Sequence, residues 1–172
     1  MTPRILVAGI GNIFLGDDAF GVVVARRLAE HPLPPGVEVR DFGIRGLDLA
    51  YALSDGCDAA ILVDAMPRGG VPGTLYLIEP DAPEANDAAG PALAAHSVDP
   101  MAVFALAQTL GGCPERLFVV GCEPGAVAPV PDDPDGLSPP VRAAVDEAVN
   151  MIESLLVRLH DGRPAVAPQG PA

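Results

Sequence analysis

Short apolar runs alternate along the chain with longer segments in which apolar residues recur every three or four positions. A short continuous apolar run bounded by glycine or proline is typical of a buried strand, and the longer spacing is typical of a helix packed on a sheet. The runs predict five strands, at 4–9, 37–43, 58–67, 74–80 and 115–124. The strand at 74–80 follows the turn RGGVPG, and we expect it to run antiparallel to its predecessor.

Four helices are predicted between and after these strands. A serine or aspartate followed by proline is a typical helix start, and glycine is a typical stop. The helices are expected from Gly16 or Asp17 to about His31, over 46–56, from Asp99 through Leu110, and from Ser138 to about His160.

Alternation of strands and helices predicts an α/β fold: a three-layer sandwich with a mainly parallel, roughly five-stranded sheet flanked by helices. We expect a single domain over residues 1–160 and a flexible tail over 161–172, which is rich in Pro, Gly and Ala. Residues 80–95 are polar and small, and predict a long loop of the kind that often carries function.

The charge of the chain limits its partners. Ten basic residues face 23 acidic ones, for a net charge of −13. Such a surface repels phosphate, which argues against nucleic acid or an anionic membrane as a partner and suits a basic protein surface. The apolar run near the N-terminus also faintly resembles a signal peptide, but it has one positive side chain and no small-residue cleavage site, so we favour a buried strand.

The three cysteines, Cys57, Cys113 and Cys122, form no C-x-x-C pair. A disulfide framework or a structural zinc site is therefore not expected, and a reducing, cytoplasmic location is. All three stand in apolar or turn contexts and are interpreted as packing residues, although a Cys–His nucleophile pair stays open. We expect a monomer.

Acidic residues stand where the predicted strands end. Because the carboxyl ends of parallel strands meet at one edge of a sheet, where ligands bind in open α/β folds, these side chains are candidates for a common site. They are Asp17 and Asp18 after the first strand, Asp41 at the second, Asp64 at the third and Glu123 at the last, with His96 in the loop before a helix.

Each candidate also has a structural interpretation. Asp17 is expected to be an N-cap, and Asp18 could be a first-turn acid favoured by the helix dipole. Asp41 and Glu123 could cap loops, and His96 could be a surface histidine. Asp64 is the hardest to explain in this way, because an acid that ends an apolar strand needs a partner to offset its desolvation.

Two carboxylates and an imidazole form an oxygen-and-nitrogen ligand set with open positions, which suits nickel, iron, manganese or zinc. Other chemistries fit less well. The glycines of GIGNIFLG do not match the dinucleotide fingerprint, the chain has no lysine for a phosphate loop, and neither G-x-S-x-G nor H-E-x-x-H occurs.

The segments GIGNIFLGDDAFG, ILVDAMP, VVGCEP and GLSPPV, together with the loop histidine, resemble the hydrogenase maturation protease family over about residues 4–158. The resemblance implies an endopeptidase that removes the C-terminal extension of a nickel–iron hydrogenase large-subunit precursor. It also implies that Asp18, Asp64 and His96 bind nickel. The nickel belongs to the precursor, so the free protein is not expected to hold it tightly.

The resemblance further implies catalytic roles for Asp18, Asp41 and Asp64, with Asp41 orienting or deprotonating water. The segment DFGIRG replaces a glycine and a threonine of the family's pattern, and Gly43 and Arg45 within it are candidate substrate contacts. Two other functions stay open: a hydrolase of the same fold with its own metal and another peptide substrate, and a non-catalytic chaperone that binds the precursor.

Overall fold

The structure, a computed structural model, describes residues 1–81 and 98–163. Five strands form one sheet within these ranges: β1 Ile5–Ile10, β2 Val37–Gly43, β3 Ala59–Ala65, β4 Leu75–Ile78 and β5 Arg116–Cys122. The helices are α1 Phe20–Ala29, α2 Gly46–Ser54, α3 Pro100–Thr109 and α4 Pro139–His160, and a 3₁₀ turn, Gly16–Ala19, precedes α1.

The sheet order is β2-β1-β3-β5-β4. The first four of these strands are parallel to their neighbours, and β4 pairs antiparallel with β5 at the edge. This arrangement confirms the mainly parallel, five-stranded sheet. It also confirms that the apolar run near the N-terminus is a strand, because β1 lies between β2 and β3 with every residue buried.

Helices cover both faces of the sheet, which confirms the three-layer sandwich. Alternate residues of a strand point to opposite faces. Ile5 and Val7 of β1 accordingly pack in the core formed with α1 and α4, whereas Leu6 and Ala8 pack in the core formed with α2 and α3. Full burial of a side chain of this kind stabilises the fold by roughly 1.5–3 kcal/mol.

Two glycines let α1 lie directly against the sheet. A Cβ on Gly21 would lie 2.0 Å from the carbonyl oxygen of Val63 and 2.3 Å from that of Ile10. A Cβ on Gly9 would lie 2.5 Å from the carbonyl oxygen of Gly21. The backbones of β1, β3 and α1 therefore touch, and the turn that precedes α1 is held over the carboxyl ends of β1 and β3.

The predicted elements differ from the observed ones mainly at their ends. The segment after β1 begins as the 3₁₀ turn, and α1 ends at Ala29 rather than near His31. Most of the predicted loop at 80–95, and residues 164–172 of the predicted tail, lie outside the described residues. No helix in the described ranges is both long enough and apolar enough to span a bilayer.

Candidate functional site

Asp18 lies on the 3₁₀ turn that follows β1. The chain leaves β1 at Gly11, whose φ of 140° is accessible to glycine and whose N–H donates to the Gly43 carbonyl oxygen at 3.0 Å. The N–H of Asn12 donates to Asp18 Oδ2 at 2.8 Å. This bond closes the turn and holds the half-buried Asp18 carboxylate above the end of β1.

Asp64 lies near the end of β3 and is 9 % exposed. Burial raises the pKa of the Asp64 carboxyl well above its usual range, and the negative charge of Asp18 raises it further, against an opposing hydrogen bond from the N–H of Ala65. The structure thus brings Asp18 and Asp64 together, as the sequence predicts. A buried acid beside a second acid is a common arrangement at functional sites.

A third carboxylate, Asp99, acts on the same pair. Its Oδ1 accepts the N–H of Met101 at 3.0 Å, which confirms it as the N-cap of α3, and its charge also raises the pKa of Asp64. The sequence predicts Asp99 only as a helix cap. Its place three residues after His96, at a helix start facing the carboxyl edge, is the signal that could have identified it.

The Asp41 side chain lies on the opposite face of the sheet from that of Asp64. It is in register with Gly9 of β1, and its carboxylate binds the guanidinium of Arg26 on α1, with Oδ2 3.0 Å from Nη2. The side chain of Val63 packs on the α1 face of the sheet. Because successive side chains of a strand point to opposite faces, the side chain of Asp64 points to the face that α2 and α3 cover. The side chains of Asp41 and Asp64 therefore point to opposite faces of the sheet, and the catalytic role of Asp41 stays a prediction.

Gly43 and Arg45, the candidate substrate contacts, form the turn between β2 and α2. Gly43 has a φ of 55°, and Arg45 Nε donates to the Phe42 carbonyl oxygen at 3.1 Å while Nη2 donates to that of Asp41. The Arg45 side chain thus closes its own turn. Contact with a substrate stays a prediction for both residues.

Asp17 is not the N-cap that the sequence predicts, because neither the 3₁₀ turn nor α1 receives a side-chain cap. The Asp17 carboxylate is fully buried and accepts four hydrogen bonds from the segment between β5 and α4. They come from the N–H groups of Gly125 at 2.7 Å, Ala126 at 2.6 Å and Ser138 at 2.7 Å, and from Ser138 Oγ at 2.7 Å. Asp17 therefore joins two loops at the carboxyl edge.

Glu123 caps a loop, which confirms its structural interpretation. It accepts hydrogen bonds from the N–H of Arg68 at 2.8 Å, the N–H of Gly69 at 3.2 Å and the hydroxyl of Tyr76 at 2.8 Å. Burial alone would raise its pKa, but these hydrogen bonds outweigh it, and the pKa of Glu123 lies below its usual range. This carboxylate stays ionised and holds the turn between β3 and β4.

The buried cysteine of β5 is unsuited to nucleophilic catalysis. Burial, reinforced by the charges of Asp17 and Glu123, raises the pKa of Cys122 to about 12, so the thiol stays protonated near neutral pH. No group of three His, Cys, Asp or Glu residues in the described ranges is arranged to hold a metal ion. His96 lies outside the described residues, so Asp18 and Asp64 are the predicted ligands that the structure places.

Comparison with known proteins identifies the family of this chain. The model of a family described as hydrogenase maturation protease matches residues 22–155, a stretch that includes Asp41, Asp64 and His96 and begins after Asp18. The chain belongs to the hydrogenase maturation protease family. It is accordingly a peptidase, and both the resemblance seen in its motifs and the expected enzyme class are confirmed.

Relatives and solved structures agree with the family. The hydrogenase expression/formation protein HupD of Rhodobacter capsulatus is 37% identical over 147 residues, which cover 85% of this chain and 68% of that relative. The hydrogenase 2 maturation protease of Escherichia coli is 31% identical over 160 residues, 89% of this chain and 90% of the relative. The structure of the hydrogenase maturating endopeptidase HybD from E. coli superimposes with a TM-score of 0.69 at 29% identity, covering 92% of this chain and 94% of that one.

We expect Asp17→Asn to destabilise the protein. The amide nitrogen of asparagine must face either the N–H of Ser138 or the donors that converge on Oδ2, so at least one buried donor loses its acceptor. An unsatisfied buried donor costs about 1–3 kcal/mol. Urea unfolding measures the change, with the exposed Asp55→Asn as the control. A loss below about 0.5 kcal/mol would contradict the assigned role.

We expect Asp64→Asn to stabilise the protein at pH 7. The folded pKa of Asp64 lies above its unfolded value of about 3.9, so ionisation in the folded protein is unfavourable at higher pH, and asparagine avoids it. The variant should melt above the wild type at pH 7, and the difference should shrink as the pH falls towards 4, where Asp64 is protonated in the folded state and about half protonated in the unfolded state. Thermal melts from pH 4 to 7 test this; a lower melting temperature at pH 7 would count against it.

Proposed function

We propose that this protease removes the C-terminal extension of a nickel–iron hydrogenase large-subunit precursor after nickel has been inserted. The observation that carries the proposal is that Asp64, buried at the end of β3, lies close enough to Asp18 and Asp99 for their charges to raise its pKa. In the described chain the charges that act on Asp64 come from Asp18 and Asp99, and both are carboxylates. A site of this kind is suited to a cation presented by a partner.

The proposed cation is the nickel of the precursor, which is part of the substrate. Asp18, Asp64 and His96 are the proposed ligands from this chain, and the oxygen-and-nitrogen set without a thiolate suits weak, transient binding of a nickel that the precursor already holds. Asp99 supports this assignment, because it lies three residues after His96 and acts on Asp64. Recognition would then report that nickel insertion is complete.

Hydrolysis of the peptide bond needs a group that takes a proton from the attacking water. Asp41 forms an ion pair with Arg26 and lies across the sheet from Asp64, so its geometry supports this role less well than that of the Asp18–Asp64 pair. We therefore propose that the base comes from the pair. We also propose a cytoplasmic location, since three free thiols suit a reducing compartment.

The first test is the removal of each proposed ligand. Asp18→Asn, Asp64→Asn and His96→Ala should each slow precursor cleavage by about 10²–10⁴-fold, the contribution of a positioned acid–base group. Mass spectrometry of the large subunit measures cleavage, and circular dichroism checks the fold. The control variant, Asp55→Asn, should cleave the precursor at the wild-type rate. If Asp64→Asn cleaved the precursor at the wild-type rate, Asp64 would have no role in the proposed site.

The second test is the dependence on nickel. Precursor prepared with nickel should be cleaved, and precursor prepared without it should be spared, because the ligands Asp18, Asp64 and His96 recognise the ion. Incubation of both forms with this protein, followed by mass spectrometry, gives the result. Equal cleavage of both forms would overturn nickel recognition and leave the protease assignment in place. Cleavage of neither form would favour a chaperone that binds without cutting.

A further inference from the structure

Arg68 is an exposed arginine at the carboxyl edge of the sheet, in the turn between β3 and β4 that follows Asp64. The main chain of this turn is fixed at both ends. The N–H groups of Arg68 and Gly69 donate to the Glu123 carboxylate at 2.8 and 3.2 Å. The N–H of Gly73 donates to the Glu123 carbonyl oxygen at 2.8 Å. The position from which the Arg68 side chain extends is therefore well defined.

The Arg68 guanidinium lies over the ring of Tyr76 on β4, with Cζ 5.2 Å from the ring centroid. The Tyr76 hydroxyl donates to Glu123 Oε2 at 2.8 Å, so the ring is itself held in place. An arginine stacked on an aromatic ring keeps the edge of its guanidinium, with its N–H donors, open to another partner. The cation is therefore positioned in advance, and a ligand that binds it costs the side chain little further freedom.

The guanidinium of Arg68 forms no ion pair with the described residues. Seven of the ten arginines of the chain pair with carboxylates in those ranges, and Arg68 is not among them. Glu123 accepts the main-chain N–H of Arg68 rather than its guanidinium, and this carboxylate is 5 % exposed with donors on both of its oxygens. In a chain with a net charge of −13, Arg68 thus presents a cation that can accept a carboxylate of a ligand.

Tyr76 and Asp64 lie in one row across the sheet. Asp64 of β3 and Tyr76 of β4 both pair with Gly121 of β5, so their side chains point to the same face and lie two strand spacings apart, roughly 10 Å. Gly121 has no side chain, and a Cβ on it would lie 2.9 Å from Cβ of Met66, so the Met66 side chain fills the row between them. The row therefore runs from the carboxylate pair of Asp18 and Asp64, across an apolar floor, to the stacked arginine.

The length of this row matches a short extended peptide. Successive residues of an extended chain are about 3.3 Å apart, so roughly three residues span the distance from Asp64 to Tyr76. A peptide bond held at Asp64 therefore brings a residue about three positions away to the Arg68 guanidinium. A guanidinium binds a carboxylate through two parallel N–H···O bonds, which a neutral or basic side chain cannot form.

We propose that Arg68 is a specificity-determining residue, whose guanidinium binds a carboxylate of the precursor about three residues from the bond that is cut. This inference rests on the proposed function and adds how the segment to be cut is held in register. The carboxylate belongs either to an Asp or Glu side chain or to the C-terminus of the extension, since both present the same two oxygens. The acids at the end of β3 repel such a group, so its contact with Arg68 favours one placement of the peptide bond.

The test is Arg68→Gln against Arg163→Gln. Both variants lose one positive charge, and Arg163 is exposed just after the C-terminal end of α4, whose other end begins beside Asp17 at the carboxyl edge. With nickel-loaded precursor, Arg68→Gln should lower kcat/KM about tenfold or more, mainly through a higher KM, and Arg68→Lys should recover part of the loss. Arg163→Gln should keep the wild-type kcat/KM. The melting temperature of Arg68→Gln should fall by less than about 4 °C, because the variant loses one exposed cation–π contact.

Two altered precursors identify the source of the carboxylate. One carries a C-terminal carboxamide, and in the other the acidic residues within about four positions of the cleaved bond are replaced by their amides. The wild-type protease should cleave one of these forms about tenfold more slowly than the natural precursor. Arg68→Gln should cleave that same form and the natural precursor at similar rates, because the contact is already lost.

Four results would overturn the role of Arg68. An unchanged KM in Arg68→Gln, with cleavage by the wild type intact, would do so and leave the proposed function standing. Cleavage of both altered precursors at the natural rate by the wild type would show that no carboxylate is bound. An equal loss in Arg163→Gln would assign the effect to net charge. A larger fall in the melting temperature of Arg68→Gln would show that the arginine stabilises this chain itself. Failure of the wild type to cleave any precursor is the separate result that would reject the proposed function.

Discussion

The buried carboxylate of Asp17 is the interaction on which the carboxyl edge of the sheet depends. It connects the turn after β1 to the segment after β5, more than 100 residues away, through four hydrogen bonds. Burying an ionised group is unfavourable unless donors replace its water, and here they do. The turn that carries Asp18 and the start of α4 at Ser138 are both held by this connection.

Asp17 and Asp64 are both buried, but they have opposite environments. Asp17 is surrounded by donors and has no capacity left for a ligand. Asp64 faces further negative charge from Asp18 and Asp99. The first arrangement stabilises the fold, whereas the second lowers stability, as expected of the cation site proposed above. Proteins commonly accept such a local loss where they bind or react.

The sequence predicts the layers, the strands and the nearness of Asp18 and Asp64, because buried parallel strands have a clear apolar pattern and their carboxyl ends meet. It does not predict the partners of Asp17. An aspartate that caps its own helix and one that accepts hydrogen bonds from a distant loop look the same in the sequence, as two aspartates before a helix. The pairing of Gly43 with Ile10 also escapes prediction. The register between β1 and β2 shifts after Gly9, and only the pairing of the strands reveals that irregularity.

The contact between Gly9 and Gly21 bears on how the site responds to heat. Where α1 meets β1 and β3, main-chain atoms touch without side chains between them. A contact made of side chains can change its thickness as rotamers are repopulated, whereas a contact between two main chains has no rotamers to exchange. The spacing between the turn of Asp18 and the strand of Asp64 is therefore set by van der Waals contact between main chains, and warming should leave it nearly constant until the helix separates from the sheet.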